Sequence, residues 1–175
     1  MSKNVFILNH PLTGGYLKAL RDKVSTPEIF RNQAARLGSM LALEMSRDLP
    51  AAPQGVDTPL CETEENVVSA SVAIVPILRA GIGLVDPFLN FIPNAGVFFL
   101  GMYRDETTHH PVSYYNKLEE SLPKDVAYIV DPMLATGASL QAAYDALCET
   151  GVPASVHVLA AIASEEGLAN AQQWL

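Results

Sequence analysis

From residue 71 onward, short apolar runs alternate with amphipathic segments. Four of the runs have the length of strands and cover residues 71–78, 95–102, 126–130 and 155–163. Helical segments are expected from Gly81 to Phe91 and over residues 137–149, the second stopping at Gly151. Continuous apolar strands that alternate with helices are typical of a parallel sheet covered on both faces. The pattern therefore predicts an α/β fold with right-handed crossovers.

The first third of the chain carries a clear helix start. Thr26 suits an N-cap, Pro27 the first helical position and Glu28 the first turn. Apolar residues then recur at helical spacing and predict a single apolar stripe: Ile29, Phe30, Ala34, Leu37, Leu41 and Met45. A short strand is expected before this helix, at Val5–Leu8. After it, residues 48–66 are rich in Pro, Thr and acidic side chains and predict an exposed connection or a short hairpin.

A polar segment separates the second and third apolar runs, over residues 104–125. Its middle, residues 111–118, has strand composition and predicts a β-extension above the main sheet. Polar loops of this length are lids or binding loops, or are simply mobile, and both interpretations stay open. His109 and His110 lie together here without a third metal ligand at a suggestive spacing, which favours solvated loop histidines.

Composition restricts the classes of function. The chain has 175 residues, 49% of them hydrophobic, and 11 Lys and Arg against 19 Asp and Glu give a net charge of -8. These values exclude an intrinsically disordered chain and predict a single domain over residues 1–175. Basic residues are absent between Arg47 and Arg79 and after Lys124. Without a basic patch, a nucleic-acid partner is not expected, whereas a small anion at a helix N-terminus remains possible.

Cysteine content and hydropathy predict a soluble cytoplasmic protein. Cys61 and Cys148 have no metal-binding spacing, and a secreted scaffold of this length normally carries more cysteines. The apolar patch at the N-terminus is too weak for a signal peptide. Residues 72–102 contain only Arg79 and Asp86 as charges, but Pro and Gly divide them into pieces too short for a membrane span.

The strongest local feature for chemistry follows the third apolar run. This run ends in Asp131, passes through small residues and enters a helix near Ser139. In parallel sheets, ligands bind at the carboxyl ends of the strands, and the amides of such a loop can surround a phosphate while the carboxylate accepts hydrogen bonds from sugar hydroxyls. In an alternative interpretation, Asp131 only begins a tight turn and Ser139 caps the helix. The loop matches neither the ATP nor the dinucleotide glycine pattern.

The segment VDPMLATGASL, residues 130–140, closely resembles the phosphoribosyl-pyrophosphate motif of uracil phosphoribosyltransferases. Three further stretches agree with that family in order and spacing: HPLT near the start, VPILRAGIGLVD at residues 75–86 and GMYRDETTHHPVSYYNKL at residues 101–118. The resemblance extends from about residue 9 to residue 168. It implies the type I phosphoribosyltransferase fold, with a mostly parallel central sheet, flanking helices and a β-extension or flexible loop.

The resemblance also implies the site residues. Asp131 would hold the ribose hydroxyls of phosphoribosyl pyrophosphate, and Arg79 and Arg104 would face its diphosphate; these three are the implied catalytic residues. The whole loop would bind this substrate, with the 5′-phosphate on its last five residues: Asp131, Pro132, Met133, Leu134, Ala135, Thr136, Gly137, Ala138 and Ser139. The alternatives are a salt bridge between Arg79 and Asp86, and an ordinary loop charge at Arg104.

The implied activity is the synthesis of UMP and diphosphate from uracil and phosphoribosyl pyrophosphate, a reaction of pyrimidine salvage. Mg²⁺ would be bound mainly through the substrate's diphosphate, with no dedicated protein metal site, and GTP is a possible allosteric activator. The family resemblance further implies a homodimer or a homotetramer. The alternative is a non-catalytic regulator that senses phosphoribosyl pyrophosphate.

Two departures from the family pattern affect these expectations. Ala138 stands where the family has a second glycine, which is strained if this position has a positive φ and tolerable if it is helical. The family's segment for binding the base has no counterpart up to Leu175, so the residues that select uracil are not assigned. Three explanations are open: a tail omitted from the printed sequence, a shortened chain, or a protein that naturally lacks uracil recognition.

Overall fold

The computed structural model describes residues 5–104, 111–118, 125–151 and 153–174. The helices are α1 (Thr13–Arg21), α2 (Pro27–Met45), α3 (Val85–Leu89), α4 (Ala138–Thr150) and α5 (Glu165–Ala171), and a 3-10 helix (Ala80–Leu84) precedes α3. The strands are β1 (Ala51–Asp57), β2 (Glu62–Val68), β3 (Val72–Leu78), β4 (Gly96–Val97), β5 (Leu100–Arg104), β6 (Pro111–Asn116), β7 (Val126–Val130), β8 (Met133–Leu134), β9 (Ser155–Leu159) and β10 (Ile162–Ala163).

A mostly parallel sheet forms the centre of the fold, as predicted. Its strands follow the order β6-β5-β3-β7-β9, and β4 also pairs with β3. These pairs are parallel except for β5 with β6, which is the predicted β-extension. β7 is buried throughout and β3 nearly so, as expected for strands with helices on both faces.

The two faces of the sheet pack against different helices. Alternate residues of β3, such as Val75 and Ile74, enter two separate clusters of buried side chains. Leu140 of α4 belongs to the first cluster, while Phe88 of α3 belongs to the second. This arrangement leaves the carboxyl ends of the parallel strands at one edge of the sheet, which is where loops can form a binding site.

The helix limits agree with the local signals. The Thr26 hydroxyl accepts a hydrogen bond from the amide of Ile29 at 3.3 Å, so Thr26 is the N-cap of α2. Gly151, with φ of 101°, ends α4. Residues 48–66 contribute to the antiparallel hairpin of β1 and β2, one of the two structures predicted for them.

Three predictions of local structure were wrong or incomplete. Residues 5–8 form no strand, and Phe6 and Ile7 are exposed, so hydropathy alone did not place them in the sheet. The second apolar run divides into β4 and β5. The fourth run leaves the sheet after Leu159 and continues as β10, which pairs with β8.

The apolar stripe of α2 is only partly buried. Leu37 and Ala42 are buried, whereas Ile29 and Phe30, in the first turn of the helix, are exposed. The helix therefore joins the core through its second half alone. None of the helices in the described ranges is long and apolar enough to span a bilayer.

Candidate active site

Loops that follow three neighbouring strands meet at one edge of the sheet. Because β5, β3 and β7 are parallel and adjacent, the ends of all three strands lie on the same side. Arg79 follows β3, Arg104 is the last residue of β5 and Asp131 follows β7. The topology thus brings the backbone positions of the three implied catalytic residues to one edge.

The loop after β7 surrounds a small depression that is open to solvent. Its lining contains Leu140 and seven of the nine loop residues that were predicted to bind substrate: Asp131, Met133, Leu134, Ala135, Thr136, Gly137 and Ser139. Desolvation raises the pKa of the half-buried Asp131 carboxyl, and a hydrogen bond that its Oδ1 accepts from the Met133 amide at 3.4 Å acts in the opposite direction. A carboxylate held in this way is an acceptor for hydroxyl groups in the depression.

The start of α4 offers backbone amides to the same depression. Gly137 is the N-cap with φ of 85°, a conformation that favours glycine, and no side chain caps the helix. The first amides of a helix have no partner within the helix, so those of Ala138 and Ser139 can bind an anion. The interpretation of Ser139 as the cap is therefore wrong. Ala138 is already helical, which explains why alanine fits where the family has glycine.

Helix α5 and its N-cap residue support the loop after β7. The sequence did not predict this contact. The amide of Ser164 donates to the Leu134 carbonyl at 2.8 Å, and the Asn170 side chain donates to the Thr136 carbonyl at 2.9 Å. The Ser164 hydroxyl donates to the carbonyl of Ala135. Because these bonds engage the loop's carbonyl groups, its conformation depends on α5.

Gly167 lets α5 approach the loop closely. A Cβ at this position would collide with the backbone carbonyl of Ala135, and Gly167 itself is buried. Glycine in a helix interior is unfavourable by about 1 kcal/mol relative to alanine. A glycine within SEEGLANAQ was therefore a usable signal of close backbone approach.

The turn after β3 lies against the end of β7. A Cβ on Gly81 would lie 2.6 Å from the carbonyl oxygen of Val130, the residue before Asp131. Arg79 is exposed and lines a second, wider depression together with its neighbours in sequence and with residues of β5 and β6: Leu78, Ala80, Met102, Tyr103 and Tyr114. The Leu78–Arg79 peptide bond is cis.

The sequence left one alternative open for each arginine: a salt bridge for Arg79 and an ordinary loop charge for Arg104. In the described part of the chain no ion pair joins Arg79 to Asp86, so the salt bridge between these two residues is not formed. The backbone of Arg104 pairs with Pro111, but its side chain lies outside the described part of the structure. Its role stays a prediction.

The remaining histidines and the two cysteines are not assigned to this site. His109 and His110 lie outside the described residues. His157 is in β9, where its Nε2 is 2.7 Å from the Ser155 hydroxyl and its ring packs on Tyr128; desolvation lowers its pKa. In the part of the chain that the structure covers, no three His, Cys, Asp or Glu side chains converge on a metal site, and both cysteines are free and exposed.

Comparison with known proteins agrees with this geometry. The sequence model of the family described as uracil phosphoribosyltransferase matches residues 7–175. A uracil phosphoribosyltransferase of Roseiflexus castenholzii is 43% identical over 166 residues, which cover 95% of this chain and 79% of that protein. The corresponding enzyme of Lactiplantibacillus plantarum is 40% identical over 93% of this chain and 78% of its own length.

Solved structures show the same fold. The AQ2163 protein of Aquifex aeolicus superimposes with a TM-score of 0.87 and 34% identity over 95% of this chain and 79% of its own. A hypoxanthine-guanine phosphoribosyltransferase of Bacillus anthracis, 14% identical over 74% of this chain and 66% of its own, shares the fold with a TM-score of 0.54. With a family match along nearly the whole chain, this protein belongs to the uracil phosphoribosyltransferase family.

Proposed function

We propose that the protein transfers the phosphoribosyl group of phosphoribosyl pyrophosphate to uracil, forming UMP and diphosphate. One observation carries the proposal beyond family membership. The half-buried carboxylate of Asp131 and the uncapped N-terminus of α4 line one depression. A ribose that carries a phosphate on its 5-carbon fits an acceptor and a set of amide donors placed together in this way.

Each part of the loop has a role in this proposal. The amides at the start of α4 bind the 5′-phosphate, whose charge the helix dipole favours. The Asp131 carboxylate accepts hydrogen bonds from the ribose hydroxyls. These contacts fix the position of the ribose C1 relative to the edge of the sheet.

The arginines act on the leaving group. The uracil nitrogen gives up its proton to water and attacks the ribose C1 as the bond from C1 to the diphosphate oxygen breaks, through a transition state that resembles an oxocarbenium ion. Negative charge then builds up on the diphosphate, and we assign its stabilisation to the guanidinium of Arg79, which lines the second depression. We assign the same role to Arg104. Alignment of the two reactants supplies most of the remaining rate enhancement.

Mg²⁺ fits this site as part of the substrate. Mg²⁺ prefers oxygen ligands and usually keeps several waters when it binds phosphates, so one carboxylate nearby is sufficient. Asp131 provides such an oxygen donor. When bound to the diphosphate, the ion supplies further charge neutralisation. We also propose activation by GTP, a homodimer or homotetramer, and action in the cytoplasm, as the family resemblance and the two free thiols suggest.

Binding of two substrate fragments tests the assignment of the two depressions. Ribose 5-phosphate probes the loop, and inorganic diphosphate with Mg²⁺ probes the arginines. In isothermal titrations, Arg79→Ala should weaken diphosphate binding about 10- to 100-fold, the value of one charge-assisted contact, and leave ribose 5-phosphate binding unchanged. Arg36→Ala, which removes an exposed arginine of α2, is the matched control.

Formation of UMP from uracil and phosphoribosyl pyrophosphate tests the reaction itself. Arg104→Ala should reduce turnover about 10²-fold or more without a change in fold. If phosphoribosyl pyrophosphate binds but the whole protein makes no UMP, the chain is a sensor of this sugar phosphate instead. The site assignment is wrong if Arg79→Ala and Arg104→Ala both leave activity at the level of the unchanged protein.

A further inference from the structure

The pairing of β5 with β6, beside the candidate site, is irregular. Gly101 of β5 pairs with Tyr115, and the next pair along the strands is Met102 with Ser113. Tyr114 is thus an extra residue of β6 that has no partner on β5. An extra residue of this kind is a β-bulge, which bends its strand and redirects a side chain, and bulges are over-represented next to active sites. The bulge therefore singles out Tyr114.

The ring of Tyr114 lies against the backbone of β5 at Gly101. A Cβ at Gly101 would be 2.7 Å from both Cε2 and Cζ of this ring, and Gly101 itself is buried. Because Cζ carries the hydroxyl group, the phenol end of Tyr114 lies next to β5. Gly101 is also the partner of Leu78 on β3, the residue that precedes Arg79. The strand pairing thus brings this phenol toward the turn that carries Arg79.

Tyr114 and Arg79 line the same depression, the wider of the two. Tyr103 lines it as well, and its ring centroid is 6.3 Å from that of Tyr114. The Tyr114 side chain is 55% exposed and that of Tyr103 is 52% exposed. A tyrosine presents an apolar ring and a hydroxyl group that donates a hydrogen bond. In this depression, phenol donors therefore accompany a guanidinium.

This combination of groups suits a ligand with several anionic oxygens. A phenol donates a short, charge-assisted hydrogen bond to a phosphate oxygen, and such a bond is roughly twice as strong as one between neutral groups. Donors that are already in place before the reaction stabilise charge that develops in the transition state. The bulge and the Gly101 contact hold the ring of Tyr114 in place in the same way.

We propose that the phenol of Tyr114 donates a hydrogen bond to the diphosphate of phosphoribosyl pyrophosphate, beside the guanidinium of Arg79. The inference rests on the proposed function for the identity of this ligand. The bond strengthens as negative charge builds up on the diphosphate when it leaves the ribose C1. Gly101 is then a positioning residue, because it lets the ring lie against β5.

Tyr114→Phe removes the donor and keeps the ring. In isothermal titrations of the whole protein, inorganic diphosphate with Mg²⁺ should bind about tenfold more weakly, the effect of one hydrogen bond to a charged group. Ribose 5-phosphate should bind as it does to the unchanged protein. Tyr115→Phe is the matched control, because Tyr115 is the adjacent tyrosine of β6, is also exposed and lies outside the described lining of the depression. It should leave the binding of both ligands unchanged.

Gly101→Ala tests whether the position of the ring matters. The new Cβ would displace the Tyr114 ring and should weaken the binding of diphosphate. When Tyr114→Phe is already present, the same substitution should have no further effect on this binding, because the hydroxyl that it displaces is absent. A merely structural effect of the added methyl group would instead add to the effect of Tyr114→Phe.

The inference and the proposed function can fail separately. If the unchanged protein forms UMP and Tyr114→Phe binds diphosphate equally tightly, the inference is overturned and the proposed function stands. If the unchanged protein forms no UMP but Tyr114→Phe selectively loses diphosphate binding, the contact is confirmed and the reaction is not. Equal losses in Tyr114→Phe and Tyr115→Phe, or a failure of the unchanged protein to bind diphosphate, also overturn the inference.

Discussion

Burial of the Asp131 carboxyl affects stability in a way that its proposed role in binding the ribose hydroxyls would justify. Desolvation raises its pKa in the folded state, so its contribution to stability is best below the ordinary value of 3.8 and declines as pH rises through the folded-state pKa. At neutral pH the charged carboxylate therefore reduces the stability of the fold. Active sites commonly keep such groups because the ligand needs them.

Replacement of the Asp131 carboxylate by an amide separates its effect on stability from its effect on activity. In Asp131→Asn the Oδ1 acceptor for the Met133 amide remains, but the charge is lost. We expect a higher melting temperature at neutral pH, a difference that shrinks on acidification, and a loss of kcat/KM of about 10²-fold or more. Calorimetry and a UMP assay measure both effects. A variant less stable than the unchanged protein at neutral pH would contradict this account of the pKa.

Gly81 permits contact between the Arg79 turn and the end of β7. In Gly81→Ala the new Cβ meets the Val130 carbonyl oxygen at 2.6 Å, and backbone must move to relieve the collision. We expect a loss of about 1–3 kcal/mol in the free energy of unfolding, as for other overpacked sites, and weaker diphosphate binding. Gly83→Ala is the matched control, because a Cβ there has open space. Equal effects of the two substitutions would show that close contact is not the cause.

Helix α5 supports the loop from Asp131 to Ser139 through its N-cap residue, Ser164. The Ser164 hydroxyl caps α5 by accepting from the Gly167 amide at 2.9 Å and also donates to the loop at Ala135. We expect Ser164→Ala to cost about 1 kcal/mol in stability, the usual effect of a lost N-cap, and also to weaken ribose 5-phosphate binding. The control Thr26→Ala removes the N-cap of α2 and should cost similar stability without any effect on binding. Unchanged binding in Ser164→Ala would mean that the loop holds its shape without α5.

The response of the molecule to acid depends on a contact between distant parts of the chain. The amide and hydroxyl of Ser71 both donate to Asp125 Oδ2 at 2.7 Å, which joins the starts of β3 and β7. These hydrogen bonds lower the pKa of Asp125, so its contribution to stability is present above 3.8 and is lost as pH falls through the depressed value. Asp131 acts in the opposite direction, and its effect occurs at pH values above 3.8.

Substitution of Asp125 should therefore make the free energy of unfolding depend less strongly on pH at acidic pH. Asp125→Asn is expected to be less stable than the unchanged protein at neutral pH, with a difference that diminishes at acidic pH. Chemical denaturation at a series of pH values measures this trend, and Asp145→Asn, at an exposed position of α4, serves as the control. A constant difference at all pH values would assign the effect to geometry rather than charge.

Local patterns were sufficient for much of the fold. The start of α2 at Thr26, its hydrogen-bonded cap and the end of α4 at Gly151 follow from residues adjacent in sequence. The buried strands β3 and β7 follow from continuous apolar runs. The position of the loop after β7 follows as well, because parallel strands place their carboxyl ends at one edge.

Features that depend on contacts between residues distant in sequence could not be predicted from these patterns. The periodicity of α2 predicted one apolar stripe, but Ile29 and Phe30, at its start, remain exposed. The fourth apolar run was expected to form one strand, yet after Leu159 it pairs with β8 instead of the sheet. Hydropathy predicts neither outcome, because it indicates that a residue can be buried but not which element it packs against.

The amino-acid sequence alone specified the family, the alternation of strands and helices and the loop from Asp131 to Ser139, because these depend on residue identity and short-range spacing. Tertiary structure was needed to show that α5 holds the loop's carbonyl groups, that Gly81 brings the Arg79 turn to the end of β7 and that Asp125 joins the starts of β3 and β7. These relations join residues that are tens of positions apart. They arise from the packing of whole elements, which no local pattern encodes.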